Sequence, residues 1–246
     1  MQRLGAMPEY VPEGDEPKSA KGVPMTGERG VTVATLRTFS MFNGMPEDAL
    51  QAITRVAMMR RVARNTTIIH AADRIDFVYL ILSGSLKVLA TDEQGREVIF
   101  GVLGPGELFG EMGVLDDNPR SATVIALSPS QLVVIGKSDF KRFLQESSDV
   151  SYYIIRNLVR RLRRADRKIE SLALMDVCGR VARLLLDMAE TINGQHVVAP
   201  KIHKVDIAKM VGASREMVSR VVKDLVLRGL VGESGGRLVL LDLARP

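Results

Sequence analysis

Cysteine is all but missing: the 246 residues contain one, Cys178. A single thiol excludes an internal disulfide framework. Within one chain it also excludes a cysteine-ligated iron–sulfur cluster or a zinc site built on cysteines alone. Histidine is scarce too, and His70, His196 and His203 stand far apart without metal-ligand spacing, so no metal is expected. No apolar run approaches the ~18 residues that a membrane-spanning helix needs, and the first residues lack a signal peptide's apolar core. A cytoplasmic protein with no membrane partner is therefore expected. No nucleophile–base pair and no nucleotide-hydrolysing loop stands out, which argues against an enzyme. What is present is a chain 46% hydrophobic and 26% charged, the balance of a globular protein.

Charge is unevenly shared. Residues 1–150 carry 16 Lys+Arg against 19 Asp+Glu, whereas residues 151–246 carry 18 against 10. A basic C-terminal part on a mildly acidic N-terminal part points to a polyanion at one end, although a basic solvated surface gives the same count.

Residues 1–30 hold four of the ten prolines and no apolar period, and read as a flexible tail. A helix follows at 46–57, with Pro46 at its first position and Ala49, Leu50, Ile53 and Val56 on one face. From 58 to 135 the texture is short β segments between turns. The segments 77–82, 86–89, 98–102 and 122–127 end at Ser83-Gly84, Asp92–Gly95, Gly104-Pro-Gly106 and Ser128-Pro129. That rhythm predicts an antiparallel barrel or double-sheet roll, a shape that commonly holds a small ligand. Ser138 is placed to cap a short helix at 139–145.

A long helix is predicted over 150–173. Its apolar positions Ile155, Leu158, Leu162, Ala165, Ile169 and Leu172 recur at steps of 3, 4, 3, 4 and 3, a heptad seam narrower than a face packed on a globular core. Arg156, Arg160, Arg161, Arg163, Arg164, Arg167 and Lys168 lie between them and cannot all be buried. The seam predicts a homodimer; the alternative is a surface helix lying on the β domain. A further amphipathic helix is expected at 177–190 behind an Asp176 cap.

The C-terminal part is the most legible. Lys204–Val211 reads as a short helix, Gly212 as a sharp turn, and Ser214 as the cap of a second helix over 215–227. Val218, Val221, Val222 and Leu225 face the first helix, while Arg215, Glu216, Ser219, Arg220 and Lys223 form the polar side. Ser234-Gly-Gly236 between two apolar segments makes a hairpin wing. An arginine on the exposed first turn can present its fork to guanine, and a neighbouring glutamate can accept from cytosine. A helical hairpin docked on another protein is the competing reading.

One stretch in the β region stands apart: Gly110-Glu111-Met112-Gly113, then Arg120-Ser121-Ala122-Thr123-Val124. A glycine-rich turn, a carboxylate and an arginine nine residues later can bind a phosphate beside a hydroxyl. Equally, Glu111 and Arg120 can form a purely structural pair.

These residues resemble the phosphate-binding cassette of cyclic-nucleotide-binding domains, and residues 211–220 resemble the recognition motif of the catabolite activator (CRP/FNR) family. The resemblance spans about 36–243 in the family's order. It implies an α+β chain: a cyclic-nucleotide-binding antiparallel β-roll (a double-stranded jelly roll) over 31–149, a dimerisation helix over 150–173 and a winged helix-turn-helix over 174–246. It further implies that Glu111 binds the ribose hydroxyl and Arg120 the cyclic phosphate, with Met112, Ser121 and Ala122 completing the cradle behind Gly110. Ser214, Arg215, Glu216, Ser219, Arg220 and Lys223 would then meet double-stranded DNA at palindromic TGTGA-like half-sites, with RNA polymerase as a partner.

The match departs at one point. Where cyclic-AMP-binding members contact adenine through a threonine–serine pair, this chain has Ala165 and Asp166. Alanine cannot hydrogen-bond a base, whereas Asp166 can accept from guanine and Arg164 can meet a further phosphate. The intact cassette favours cyclic AMP or a similar mononucleotide as effector, and the substituted pair keeps cyclic di-GMP as the alternative. A homodimeric, ligand-gated transcription regulator is thus expected. The reading from another class is a ligand-binding module that acts through protein partners.

Overall fold

A computed structural model of the protein describes residues 30–74 and 76–241; the tail expected at 1–30 falls, but for Gly30, outside them. Helix α1 (Val33–Arg37) begins where the Thr32 hydroxyl accepts the Thr35 N–H at 3.1 Å. A 3-10 turn (Ser40–Phe42) leads to α2 (Glu47–Val56), with Pro46 at the cap rather than inside the helix. Eight strands follow: β1 (Met58–Val62), β2 (Thr67–Ile69), β3 (Phe77–Ser83), β4 (Leu86–Thr91), β5 (Glu97–Leu103), β6 (Leu108–Phe109), β7 (Thr123–Ala126) and β8 (Ser130–Gly136), with the short helix α3 (Met112–Asp116) between β6 and β7. They form two four-stranded antiparallel sheets, β1-β8-β3-β6 and β2-β7-β4-β5. The roll expected from the turn rhythm is present, with strands β1, β2, β6 and β8 in addition to the four anticipated.

The unbroken apolar run of β3 has a physical cause. Tyr79 and Ile81 face the second sheet, in one core with Phe109, Leu132 and Val134. Val78 and Leu80 face the opposite way, into a core with Leu36, Phe39, Leu50, Ile53 and Phe140 from the helices. A strand buried on both faces carries no polar alternation, and β8 is apolar at Leu132–Ile135 for the same reason.

Helix α4 (Lys137–Glu146) starts earlier than predicted, with Gly136 and not Ser138 at its cap. Helix α5 (Ser148–Leu174) follows, its Ser147 hydroxyl accepting the Val150 N–H. Val150 and Ile154 of α5 are buried, Tyr153 and Leu158 pack beside them on the helical core, and further along the helix Arg161 and Lys168 still reach the roll at Glu111 and the Ile99 carbonyl. Helix α6 (Val177–Asp187) is capped as expected by Asp176, whose carboxylate accepts the Gly179 N–H at 2.7 Å. It stops short of residue 190 because the chain turns into an unforeseen hairpin, β9 (Ala189–Ile192) and β10 (Gln195–Val198), around Asn193–Gly194, both at positive φ. Helices α7 (Lys204–Val211) and α8 (Arg215–Leu227) and strands β11 (Val231–Ser234) and β12 (Arg237–Leu240) complete a winged module, its sheet ordered β11-β12-β10-β9. Val181, Leu185, Ile207, Val218, Val222 and Leu240 form its core.

The winged module is seated on the roll. Met210 of α7 packs with Leu89 and Ile99 of β4 and β5. Two ion pairs flank that contact, Lys209–Glu97 at 2.6 Å and Lys87–Asp206 at 3.2 Å.

Candidate effector cassette and nucleic-acid interface

The stretch Gly110–Ala122 wraps one corner of the roll between β6 and β7. Gly110 sits at φ +81, and a Cβ there would come within 2.8 Å of the Arg120 guanidinium. Only glycine permits this backbone and this approach together. Arg120 is buried and donates from Nη1 to the Gly110 carbonyl and from Nη2 to the Phe77 carbonyl, each at 2.6 Å. Burial lowers its pKa, opposed by Tyr79, Asp76, Asp73 and Glu111. No carboxylate among the described residues lies within ion-pair distance, so the purely structural Glu111–Arg120 pair does not form. Its guanidinium is held in place with no carboxylate in direct contact, which suits a phosphate.

Glu111 is 2% exposed. Its Oε1 accepts from Arg161 Nη1 at 2.7 Å, and its Oε2 is buried with no hydrogen-bond partner. Burial pushes the carboxyl above the usual range, with Arg161 pulling the other way. A buried acceptor without a donor carries a free-energy cost that a hydroxyl or N–H donor placed against it would remove. Met112 and Ser121 are exposed at the rim and Ala122 is half-buried beside them.

Arg161 is the residue that sequence reasoning missed. Counted there among the solvated flanks of the seam, it reaches from α5 to Glu111 and also donates from Nη2 to the Leu108 carbonyl. Its partner lies 50 residues away, and no local pattern marks it. Arg164, one turn on, lies 3.7 Å from Glu107 at the cassette's edge. Asp166 is exposed, with no partner among the described residues.

Along the seam, Ile155, Leu162 and Ile169 are 56%, 62% and 66% exposed, and Ala165 and Leu172 are exposed with them. Leu158 differs, since it is half-buried against the chain's own helical core. Leu172 also lies beside the α7–α8 turn, its Cδ2 3.6 Å from where a Cβ on Gly212 would stand.

In the winged module Ser214 caps α8 by accepting the Met217 N–H at 3.2 Å. Val218, Val221, Val222 and Leu225 are buried, Arg215, Glu216, Arg220 and Lys223 exposed, and Ser219 half-buried. The Glu216 carboxyl is held below its usual range, first by its own backbone N–H, then by the Ser214 hydroxyl, with Arg215 and Arg220 adding to it. It therefore stands as an ionised acceptor beside two guanidinium forks, the donor and acceptor set that reads base edges in a major groove.

Comparison with known proteins agrees with this geometry. Residues 59–147 match the cyclic nucleotide-binding domain and residues 179–245 the Crp-like helix-turn-helix domain. The chain is 37% identical over 188 residues to the cAMP-activated global transcriptional regulator Vfr of Pseudomonas aeruginosa, covering 74% of this chain and 88% of that one. It is 35% identical to the cAMP-activated regulator CRP of Pasteurella multocida, covering 71% and 86%. Among solved structures it resembles the c-di-GMP responsive global regulator CLP of Xanthomonas campestris, with a TM-score of 0.68, 27% identity and coverage of 79% and 99%. No helix among the described residues is long and apolar enough to cross a membrane.

Proposed function

The chain belongs to the CRP/FNR family of cyclic-nucleotide-responsive, DNA-binding transcription regulators, and on that premise we propose that it is a homodimer gated by a cyclic mononucleotide such as cyclic AMP. The observation that carries the effector is the pairing of two incomplete buried groups: Arg120, charged and without a carboxylate, and Glu111, with one oxygen unsatisfied. A cyclic phosphate completes the first and a ribose hydroxyl the second. Met112, Ser121 and Ala122 finish the cradle.

The exposed row Ile155, Leu162, Ala165, Ile169 and Leu172 meets the same row of a second copy, and Leu158 braces it from the core side. The pair then offers two α8 helices to a palindromic operator with TGTGA-like half-sites, read by Arg215, Glu216 and Arg220, with Ser214, Ser219 and Lys223 placing the helix on the duplex. Ligand and operator favour one arrangement of the dimer, so each tightens the other. The protein works in the cytoplasm, RNA polymerase is its further partner, and the protein itself carries out no catalysis.

Ala165 and Asp166 favour a second reading of the effector. Alanine offers nothing to adenine, whereas an exposed carboxylate beside Arg164 suits guanine and a second phosphate. Cyclic di-GMP is that alternative, as in the name of the Xanthomonas regulator.

Calorimetric titration of the full chain with cyclic AMP, cyclic GMP and cyclic di-GMP, repeated on Arg120→Ala, tests the assignment. Binding of a mononucleotide that Arg120→Ala weakens by at least ~100-fold supports the leading reading, since two charge-assisted hydrogen bonds are worth about 3 kcal/mol. Silence from both mononucleotides overturns it.

A further inference from the structure

The apolar seam of α5 has two flanks, and they differ. With Ile155, Leu162 and Ile169 at heptad position a and Leu158, Ala165 and Leu172 at d, position g holds Ile154, Arg161 and Lys168, and position e holds Val159, Asp166 and Ala173. The g flank is spent on the chain's own roll. Ile154 is buried in the helical core, Arg161 reaches Glu111 and the Leu108 carbonyl, and Lys168 reaches the Ile99 carbonyl at 2.7 Å. The e flank is bare. Val159 is 44% exposed, Asp166 and Ala173 are exposed, and the Asp166 carboxylate has no partner among the described residues.

A surface carboxylate without a cation is ordinary; what singles out this one is its place. When two parallel helices join along such a seam, each g residue faces the e residue of the following heptad in the other helix. The e residue that follows Arg161 is Asp166. The two remaining pairs, Ile154 with the partner's Val159 and Lys168 with the partner's Ala173, set no like charges together. An antiparallel joint sets g against g and e against e. That would turn Arg161 and Lys168 toward other cations and leave Asp166 without one. Charge therefore selects the parallel pair, in which both winged modules leave the seam at the same end.

We infer that Asp166 of the partner subunit completes the Arg161 site, accepting from the part of the guanidinium that Glu111 and Leu108 leave free. Arg161 has the capacity for it. A guanidinium keeps N–H donors to spare after two hydrogen bonds, and this side chain is 30% exposed. A carboxylate of the cassette, a guanidinium of α5 and a carboxylate of the other chain then stand in one row across the seam. Each cassette is thereby braced by a residue it does not carry itself. The inference rests on the homodimer reading and adds to it a named pair and an orientation.

The test first secures the seam, then the pair. Leu162→Cys, made together with Cys178→Ser so that one thiol remains, is oxidised in the full chain. A disulfide-linked dimer is expected, because in a parallel seam each a residue meets its own copy, whereas in an antiparallel one a meets d. Its absence overturns the seam and the pairing together. Sedimentation equilibrium then gives the dimer dissociation constant of the natural chain, Asp166→Asn, Asp166→Lys, Arg161→Gln and the Arg161→Gln, Asp166→Asn double variant. Asp166 is exposed, so its substitutions leave the protomer folded. Asp166→Asn is expected to weaken association ~5–30-fold, since the two-fold axis removes two partly solvated ion pairs at once. Asp166→Lys should weaken it further, by setting two cations together. In the Arg161→Gln background the Asp166→Asn change should cost less than ~2-fold, the sign that the two residues act as a pair. With the disulfide formed, an Asp166→Lys dimer as tight as the natural one overturns the pairing but spares the seam. So does an Asp166→Asn loss of equal size with and without Arg161. Loss of cyclic di-GMP binding in Asp166→Asn with the dimer unchanged overturns it too, and places the carboxylate in the effector site.

Discussion

Arg161 and Glu111 share a hydrogen-bonded ion pair of 2.7 Å that ties the long helix to the acidic residue of the cassette. The guanidinium that holds the carboxylate also donates to the Leu108 carbonyl, so Arg161 joins α5 to both Glu111 and β6. Removing the arginine leaves a buried carboxylate with neither oxygen paired. Arg161→Ala is expected to lower stability by about 1–3 kcal/mol, read from the urea midpoint, since breaking a buried pair costs more than the pair contributed. An unchanged midpoint contradicts the pair's structural weight.

The same carboxyl has a pH signature. Burial raises the Glu111 pKa above its unfolded value, so the folded chain binds this proton more tightly. Its contribution to stability is full below the unfolded value and is lost as pH rises through the folded one. Glu111→Gln removes that dependence. Calorimetric Tm values taken from about pH 4 to pH 8 should therefore move in the variant's favour as pH rises. Movement toward the natural protein instead would contradict the sign.

The proposed DNA reading can be tested at Arg215. Arg215→Ala should lose about 1–3 kcal/mol of discrimination at one guanine of each half-site, measured by competition against single-base variants. Lys223→Ala, if it meets phosphate, should weaken all sequences alike and flatten the salt dependence. Equal losses at every base for Arg215→Ala would place that side chain on the backbone.

The seam predicts the oligomer. Ile169 and Leu162 are apolar and more than half exposed, so an aspartate at either should leave the protomer folded. Leu162→Asp is expected to weaken self-association by at least ~2 kcal/mol, the scale of a central interface residue. Sedimentation of the variant as an undiminished dimer would move the interface elsewhere.

At the joint, Lys209 and Glu97 can be tested as a pair. Lys209→Glu and Glu97→Lys should each lower stability, and the double variant should recover most of the loss. The coupling should be about 0.5–1 kcal/mol, small because both groups are partly solvated. Additive losses would show the ion pair to be incidental.

Local chemistry is what the sequence by itself determined. The bounds of α7 and α8, the Ser214 and Asp176 caps and the exposed polar face of α8 all depend on partners within about four residues along a helix. The Gly110–Arg120 contact was legible for a similar reason, since both ends of the motif lie close in the chain. The Asn193–Gly194 turn was also written there, although the apolar residues before it read as more helix. Other features were fixed only by tertiary packing. The two-sided burial of β3, the Phe77 carbonyl that holds Arg120, the reach of Arg161 to Glu111 and the seating of α7 on β4 and β5 through the Lys87–Asp206 and Lys209–Glu97 pairs each join segments distant in sequence. Periodicity states which face of an element is apolar, but not which element will cover it. An arginine on a solvated flank and an arginine in a buried pair have the same spacing, and only the packing of one element against another tells them apart.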